Sequence, residues 1–272
     1  MSGKVYLVGA GPGDPELLTV KALRLIRSAD VVLHDDLVAP AILELIPSSA
    51  RVQNVGKRCG AKTMRQEEIN FLLVTLANSG LQVVRLKSGD PLIFGRAGEE
   101  IEALRRVNIE YEIVPGVTSA LGAAAAACIP LTHRHISSNL VFTTGHRAAG
   151  ESGDWGHYAA GDSTLLVYMP GDDYAAIARR LVSSGFAPET RCALLSRATT
   201  PEQEIHHTTI SELHRAPRLV MPTLLIVGEV VGLAEKSNVN REHSSYINNE
   251  LETIFDRAVP PAEGRRQEGL SA

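Results

Sequence analysis

The residues best placed to do chemistry are charged side chains in short polar loops, each following a run of β-forming residues. Lys57 and Arg58 lie in GKRCG, Lys87 closes VVRLK, Arg96 sits in FGRAGEE, Arg134 ends IPLTHR and Arg147 lies in TTGHR. In open α/β sheets, loops at the carboxyl ends of strands hold small ligands. Cations gathered there suit a polycarboxylate, which guanidinium groups grip through two parallel hydrogen bonds. For Lys57 and Arg58, solvated surface is the competing reading. The stretch Arg85 to Glu100, RLKSGDPLIFGRAGEE, is the most suggestive. Ser88-Gly89-Asp90-Pro91 stops a strand, Gly95-Arg96-Ala97-Gly98 makes a second tight turn, and Glu99-Glu100 begins a helix. An ordinary strand-to-helix connection has the same composition; Arg96, set beside glycine at a helix start, argues for a ligand.

Other chemistries are excluded on their motifs. After Gly9-x-Gly11 a dinucleotide site wants a third glycine and meets Asp14, an acid where the pyrophosphate would sit. Asp35 falls about 20 residues on, where a ribose-binding acid is expected, so an adenosine ligand without phosphates stays open. There is no phosphate loop, no Gly-x-Ser-x-Gly and no His-Glu-x-x-His. His133 and His135 would share one face of a strand, but no carboxylate or third histidine stands close, so no metal is expected. Cys59, Cys128 and Cys192 are odd in number and far apart, which indicates neither a disulfide framework nor zinc and fits a reduced cytoplasm.

The elements that must position these residues alternate strand and helix. Strands are expected at Lys4–Val8, Ala29–Leu33, Val52–Val55, Leu81–Leu86 and Tyr111–Val114, with helices from Thr19, at Ile42–Ile46, Gln66–Ala77, Glu99–Val107 and the alanine-rich Ala120–Ala127. Its small side chains suit close helix packing. Pro130 then ends that helix, and Ile129 to Arg134 reads as a connection between domains. A second unit follows: strands Asn139–Thr143, Thr164–Met169, Arg191–Leu195 and Thr223–Val227, with a helix at Tyr174–Ser183 and a short one at Ile210–Leu213. Tyr246 to Ala258 could form one amphipathic helix, and Pro260 to Ala272 is polar and expected to be disordered.

The chain has 272 residues, 44% of them apolar, and a formal charge of -4, enough for two domains with full cores. The charge gives no general reason to expect nucleic acid. The longest apolar run, near Ala120 to Leu131, is too short to span a bilayer, and the N-terminus runs into a strand without a basic-then-apolar leader, so no membrane association is expected.

The segments VYLVGAGPGDPELLTVKAL, HDDLV, VGKRCG, VRLKSGDPLIFGRAGEE, VPGVTSA, IPLTHR, VYMPG and IVGEVV, in this order and spacing, resemble the uroporphyrinogen-III C-methyltransferases of the tetrapyrrole methylase superfamily across roughly residues 3 to 236. The resemblance implies an α/β protein of two α/β domains, 1–132 and 133–236, with the active site in the cleft between them, and an extension at 237–272. It also implies a homodimer that binds S-adenosyl-L-methionine, releases S-adenosyl-L-homocysteine, and methylates rings A and B of uroporphyrinogen III to give precorrin-2, towards sirohaem, cobalamin or haem d1.

Matched to the family's motifs, the cofactor contacts are Pro12, Ser88, Gly89, Asp90, Ile93, Thr118, Ser119, Met169 and Ala198. The proposed acid/base residues match Asp35 and Lys57, and the substrate-facing group matches Arg96, Glu99 and Arg134. Arginine is a poor base at neutral pH, so Arg96 is expected to orient the substrate by its carboxylates. The chain departs from the family at Ser88 and Ala198, each a glycine there, and at Pro170, which replaces a glycine and removes an N–H donor. A sister methylase acting on a later corrin precursor, on ribosomal RNA or on diphthamide, and a non-catalytic nucleotide-binding module, are the alternatives. The pairing of GRAGEE with THR favours the first reading over the sister methylases, and the retained Asp35, Lys57, Arg96 and Arg134 argue against a silent module.

Overall fold

Strands with near-continuous apolar runs, such as VYLV near the start and VVL soon after, are stable in a parallel sheet only when both faces are covered. The computed structural model, which describes residues 3–56, 64–145, 155 and 162–237, supplies helices on each face. Strands β1 (Lys4–Gly9), β2 (Val31–His34), β3 (Arg51–Asn54), β4 (Gln82–Lys87) and β5 (Glu110–Val114) form an all-parallel sheet in the order β3-β2-β4-β1-β5. On one face α1 (Val20–Ser28) and α2 (Pro40–Leu43) bring Ala22, Ile26 and Ile42 into a core with Val8, Val32, Val84 and Leu86. On the other, α3 (Gln66–Asn78) and α4 (Ala97–Arg106) bring Ile69, Leu73 and Leu104 against Val5, Leu7, Leu33 and Val83. The strict alternation along β4 sends Arg85 and Lys87 to this second face.

The second sheet is mixed: β6 (Asn139–Thr144), β7 (Ser163–Tyr168), β8 (Arg191–Ser196), β9 (Glu204–Thr209) and β10 (Thr223–Val227) take the order β6-β7-β10-β8-β9. Only β6 and β7 are parallel; β10 runs antiparallel to β7 and β8, and β8 to β9. On one face α6 (Tyr174–Ser183) buries Tyr174, Ile177 and Leu181 with Leu165, Val167, Leu194 and Leu225. The other face is covered by α7 (Val231–Ser237) and by α5 (Ser119–Ala126). Although α5 leaves the end of β5 in the first sheet, its Ala120, Ala123 and Ala124 share a buried cluster with Leu166, Tyr168, Leu195 and Ile226. Methyl-sized side chains let its backbone approach that sheet, and the two sheets lie in one compact unit, Met1–Ala234.

Three expectations change. Strand β9 has no counterpart in the sequence reading, because EIHHTT shows no apolar alternation. It is an edge strand, paired on one side only, and buries little. The helix expected at Ile42–Ile46 is a single turn at Pro40–Leu43, started by Pro40 in its first turn. The short helix expected at Ile210–Leu213 is a 3-10 turn at Leu213–Arg215. The amphipathic segment Tyr246 to Ala258 and the tail from Pro260 lie outside the described residues.

Candidate active site

Three strand ends of the first sheet meet at backbone level. Ala10 N donates to Lys87 O at 2.8 Å, and Gly11 and Gly89 exchange N–H···O bonds of 3.1 and 2.8 Å. A Cβ on Gly9 would lie 2.5 Å from Gly116 N, and one on Gly116 only 2.3 Å from Gly89 O. Glycine is what lets the loops after β1, β4 and β5 touch. Asp90 fastens the last two: its carboxylate accepts Leu92 N at 2.8 Å and Gly116 N at 3.0 Å. Asp14 likewise serves the chain, accepting Glu16 N at 2.8 Å to cap the 3-10 turn Pro15–Leu17.

The loops of the second sheet close on the same place. The hydroxyls of Thr118, at the start of α5, and Tyr168, at the end of β7, lie 2.6 Å apart in a buried pair. Asp14 N donates to Thr199 Oγ1 at 3.2 Å. Ile93 and Ala198 pack against the α5 cluster, and a Cβ on Gly122 of α5 would lie 2.6 Å from Pro12 Cγ. Pro12, Gly89, Ile93, Thr118, Ser119 and Ala198 therefore come together around the first turn of α5. Ser88 leads into Gly89 half-buried, and Met169 follows Tyr168 exposed. Phe94, Arg96, Met169, Arg197 and Thr199 all hold left-handed backbone, with φ from 46 to 66°. For non-glycine residues that costs about 1 kcal/mol or more each, and such residues gather at ligand clamps. A cradle of backbone polar groups, small side chains and apolar surface from Pro12, Ile93 and Met169 suits the nucleoside and amino-acid ends of S-adenosyl-L-methionine.

At the adjacent mouth of the first sheet stands a charged cluster. The Asp35 carboxylate, 30% exposed after β2, receives Arg85 Nη2 and lies 3.9 Å from Lys87 Nζ. Arg85 and Lys87, 2% and 3% exposed, both donate to Glu100 Oε1, at 3.0 and 3.1 Å. Burial, and Arg85 beside it, push the Lys87 ammonium below the ordinary lysine range, against the pull of Glu100 and Asp35. One residue before Glu100, Glu99 takes Arg96 in a two-pronged pair, both contacts 2.7 Å. That hydrogen bonding holds Arg96 above its usual value and Glu99 below the usual carboxylate range.

The structure thus joins Asp35 to the helix that carries Arg96 and Glu99. Arg134 lies on an exposed turn, and among the described residues no salt bridge joins it to that pair. His133 and His135 occupy this turn rather than a strand, and His133 Nδ1 lies 2.6 Å from Arg134 O. Lys57, Arg58 and Arg147 lie outside the described residues. Among the described residues no cluster of three His, Cys, Asp or Glu could hold a metal, and no helix is long and apolar enough to cross a membrane. Sequence reasoning passed over Arg85, Glu100 and Tyr168. The signal for the first was present: two cations at alternate positions of a strand with apolar neighbours demand buried counter-charges.

A family model described as Tetrapyrrole (Corrin/Porphyrin) Methylases matches residues 4–214. Siroheme synthase 1 of Yersinia enterocolitica is 50% identical over 236 residues, covering 85% of this chain and 49% of that protein. The uroporphyrinogen-III C-methyltransferase of Paracoccus denitrificans is 47% identical over 246 residues, covering 88% of this chain and 85% of that protein. The crystal structure of uroporphyrin-III C-methyltransferase from Thermus thermophilus complexed with S-adenyl homocysteine matches with a TM-score of 0.76 and 41% identity, covering 85% of this chain and 100% of that one. This chain spans about half the length of the siroheme synthases it matches.

Proposed function

The chain belongs to the tetrapyrrole (corrin/porphyrin) methylase family, and on that premise we propose that it is a uroporphyrinogen-III C-methyltransferase, placing two methyl groups from S-adenosyl-L-methionine on uroporphyrinogen III to give precorrin-2. The observation that carries the reading is the cradle around the first turn of α5 set beside a mouth where Asp35 and Arg96 are linked through one helix. The Paracoccus relative, matched over most of its length, supports the substrate. The cofactor would be held by Pro12, Ser88, Gly89, Ile93, Thr118, Ser119, Met169 and Ala198, with Asp90 shaping the loop. When bound, it supplies a methyl group already made electrophilic by a sulfonium. The protein's task is then alignment and electrostatics. Arg96, presented on a left-handed turn and braced by Glu99, takes one substrate carboxylate, and Arg134 takes another. Asp35, part-exposed at the strand end, accepts the proton that the macrocycle loses after the new C–C bond forms, and Lys57 acts with it. The reading extends to a homodimer in the cytoplasm, each chain made of the α/β domains 1–132 and 133–236 and an extension at 237–272.

The test is a single-turnover assay with uroporphyrinogen III and labelled methyl donor, run on the wild type and on Arg96→Lys. Lysine keeps the charge and loses the fork, so turnover should fall at least ~100-fold while S-adenosyl-L-homocysteine affinity stays within about twofold. Full activity in the variant, or a parallel collapse of cofactor affinity, assigns Arg96 to the wrong ligand. Methylation of a corrin precursor without methylation of uroporphyrinogen III would select a sister methylase instead.

A further inference from the structure

The Asp35 carboxylate is fastened from beneath by two cations, Arg85 and Lys87, that are themselves almost wholly buried. Arg85 and Lys87 stand two apart on β4, on the face covered by α3 and α4. Two buried cations require counter-charge, and two carboxylates provide it: Asp35 at the surface and Glu100, wholly buried, on α4. Glu100 Oε1 accepts three donors, Arg85 Nε at 3.0 Å, Lys87 Nζ at 3.1 Å and Gln66 Nε2 at 3.3 Å. Its Oε2 has no hydrogen-bond partner among the described residues. Lys87 Nζ sits between Glu100 at 3.1 Å and Asp35 Oδ2 at 3.9 Å, a short swing from either. The neighbouring polar groups are engaged elsewhere: the His34 ring lies 3.0 Å from Asp35's own carbonyl, Asp36 takes the Asn54 amide at 3.1 Å, and Glu99 takes Arg96.

We propose that Lys87 is a positioning residue for methyl transfer: together with Arg85 it holds the Asp35 carboxylate at the strand-end mouth, and Glu100 is the counter-charge that keeps both cations in place. The proposal rests on Asp35 as proton acceptor. It also gives the first turn of α4 a second task, since Glu99 braces the substrate-binding arginine while the adjacent Glu100 anchors the cations beneath the acceptor.

Lys87→Met alone would leave Glu100 short of a cation, so the test uses the charge-balanced variant Lys87→Met/Glu100→Gln, which retains the Arg85–Asp35 pair. A companion, Lys87→Gln/Glu100→Gln, keeps a hydrogen bond between the two positions in case the first packs poorly. Both are expected to lose kcat with uroporphyrinogen III on the order of 10- to 100-fold, as a misplaced reacting group does, with KM and S-adenosyl-L-homocysteine Kd within about twofold of wild type. In an Asp35→Asn background the same changes should cost nothing further, because a residue that acts through Asp35 has nothing left to position. Unchanged kcat in the balanced variants, a full additional loss on top of Asp35→Asn, or a parallel loss of cofactor affinity overturns the proposal. If Asp35→Asn is inactive and the Lys87 variants are not, Lys87 alone is wrongly assigned. If Asp35→Asn turns over normally, the acceptor role falls and the Lys87 role falls with it.

Discussion

Gly122 and Gly98 are both helical glycines, and alanine should act on them in opposite directions. In a helix interior glycine is worse than alanine by roughly 0.5–1 kcal/mol, so each Gly→Ala change carries a gain of up to that size. At Gly98 in the first turn of α4, a new Cβ would have nothing within 4 Å, and only the gain remains. At Gly122 in α5, it would lie 2.6 Å from Pro12 Cγ, 2.9 Å from Pro12 Cβ and 3.3 Å from Thr199 Cγ2. Neither the proline ring nor a threonine held at φ 66° can swing aside freely. Overpacking of this kind costs about 1–3 kcal/mol; set against a helix gain of roughly 0.5–1 kcal/mol, it leaves a net loss of up to about 2.5 kcal/mol. For a chain of this size that is a Tm lower by up to about 10 °C in Gly122→Ala, against unchanged or up to about 4 °C higher in Gly98→Ala. Because the overlap pushes Pro12 and Thr199 off the cradle, S-adenosyl-L-homocysteine binding by calorimetry should weaken about tenfold in Gly122→Ala, equivalent to ~1.4 kcal/mol, and not at all in Gly98→Ala. A Gly122→Ala protein that melts higher and binds as the wild type does would show that α5 and the Pro12 loop are not in the contact described.

Tyr168→Phe removes one member of a buried hydroxyl pair and orphans Thr118 Oγ1, so stability should fall by about 1–3 kcal/mol by chemical denaturation. No change in stability would mean the pair is not formed. The Arg96–Glu99 pair holds Glu99 below the usual carboxylate range, so its contribution is present above the unfolded value near ~4.3 and is lost as pH falls through the lower folded one. Both side chains are about half exposed, which limits the effect to about 0.5 kcal/mol or less. The difference in Tm between wild type and Glu99→Gln should be small at about pH 6 and shrink as pH falls below ~4; a difference that grows on acidification contradicts the pair. Burial pushes the Cys192 thiol far up, so its thiolate is scarce, whereas Cys128 is exposed. Brief alkylation of the folded protein, read by peptide mass spectrometry, should mark Cys128 and spare Cys192, and equal labelling would place Cys192 at the surface.

Much of the first sheet was legible because its signals are local. VYLV, VVL and QVVRL announce strands by composition, and Gln66 to Asn78 announces a helix by its spacing. Arg96 could be singled out for the same reason: a cation between glycines at a helix start is visible without knowing its neighbours. Glu204 to Thr209 was not legible as a strand, since an edge strand is defined by the partner it borders and has no buried stripe of its own to display. Nor did sequence order suggest that α5 serves the second sheet; that depends on where its alanine methyls find Leu166 and Tyr168. The charged cluster shows the division most clearly. Residue types placed two cations on alternate positions of β4, but Asp35 is 50 residues from Arg85 along the chain and Glu100 is 15 from it. Only the parallel register, with Leu33 beside Arg85, and the seating of α4 on the same face bring the four charges together. Local pattern is read through neighbours in sequence, whereas burial of a charge forces it to find its partner in space, and that partner is chosen by the fold.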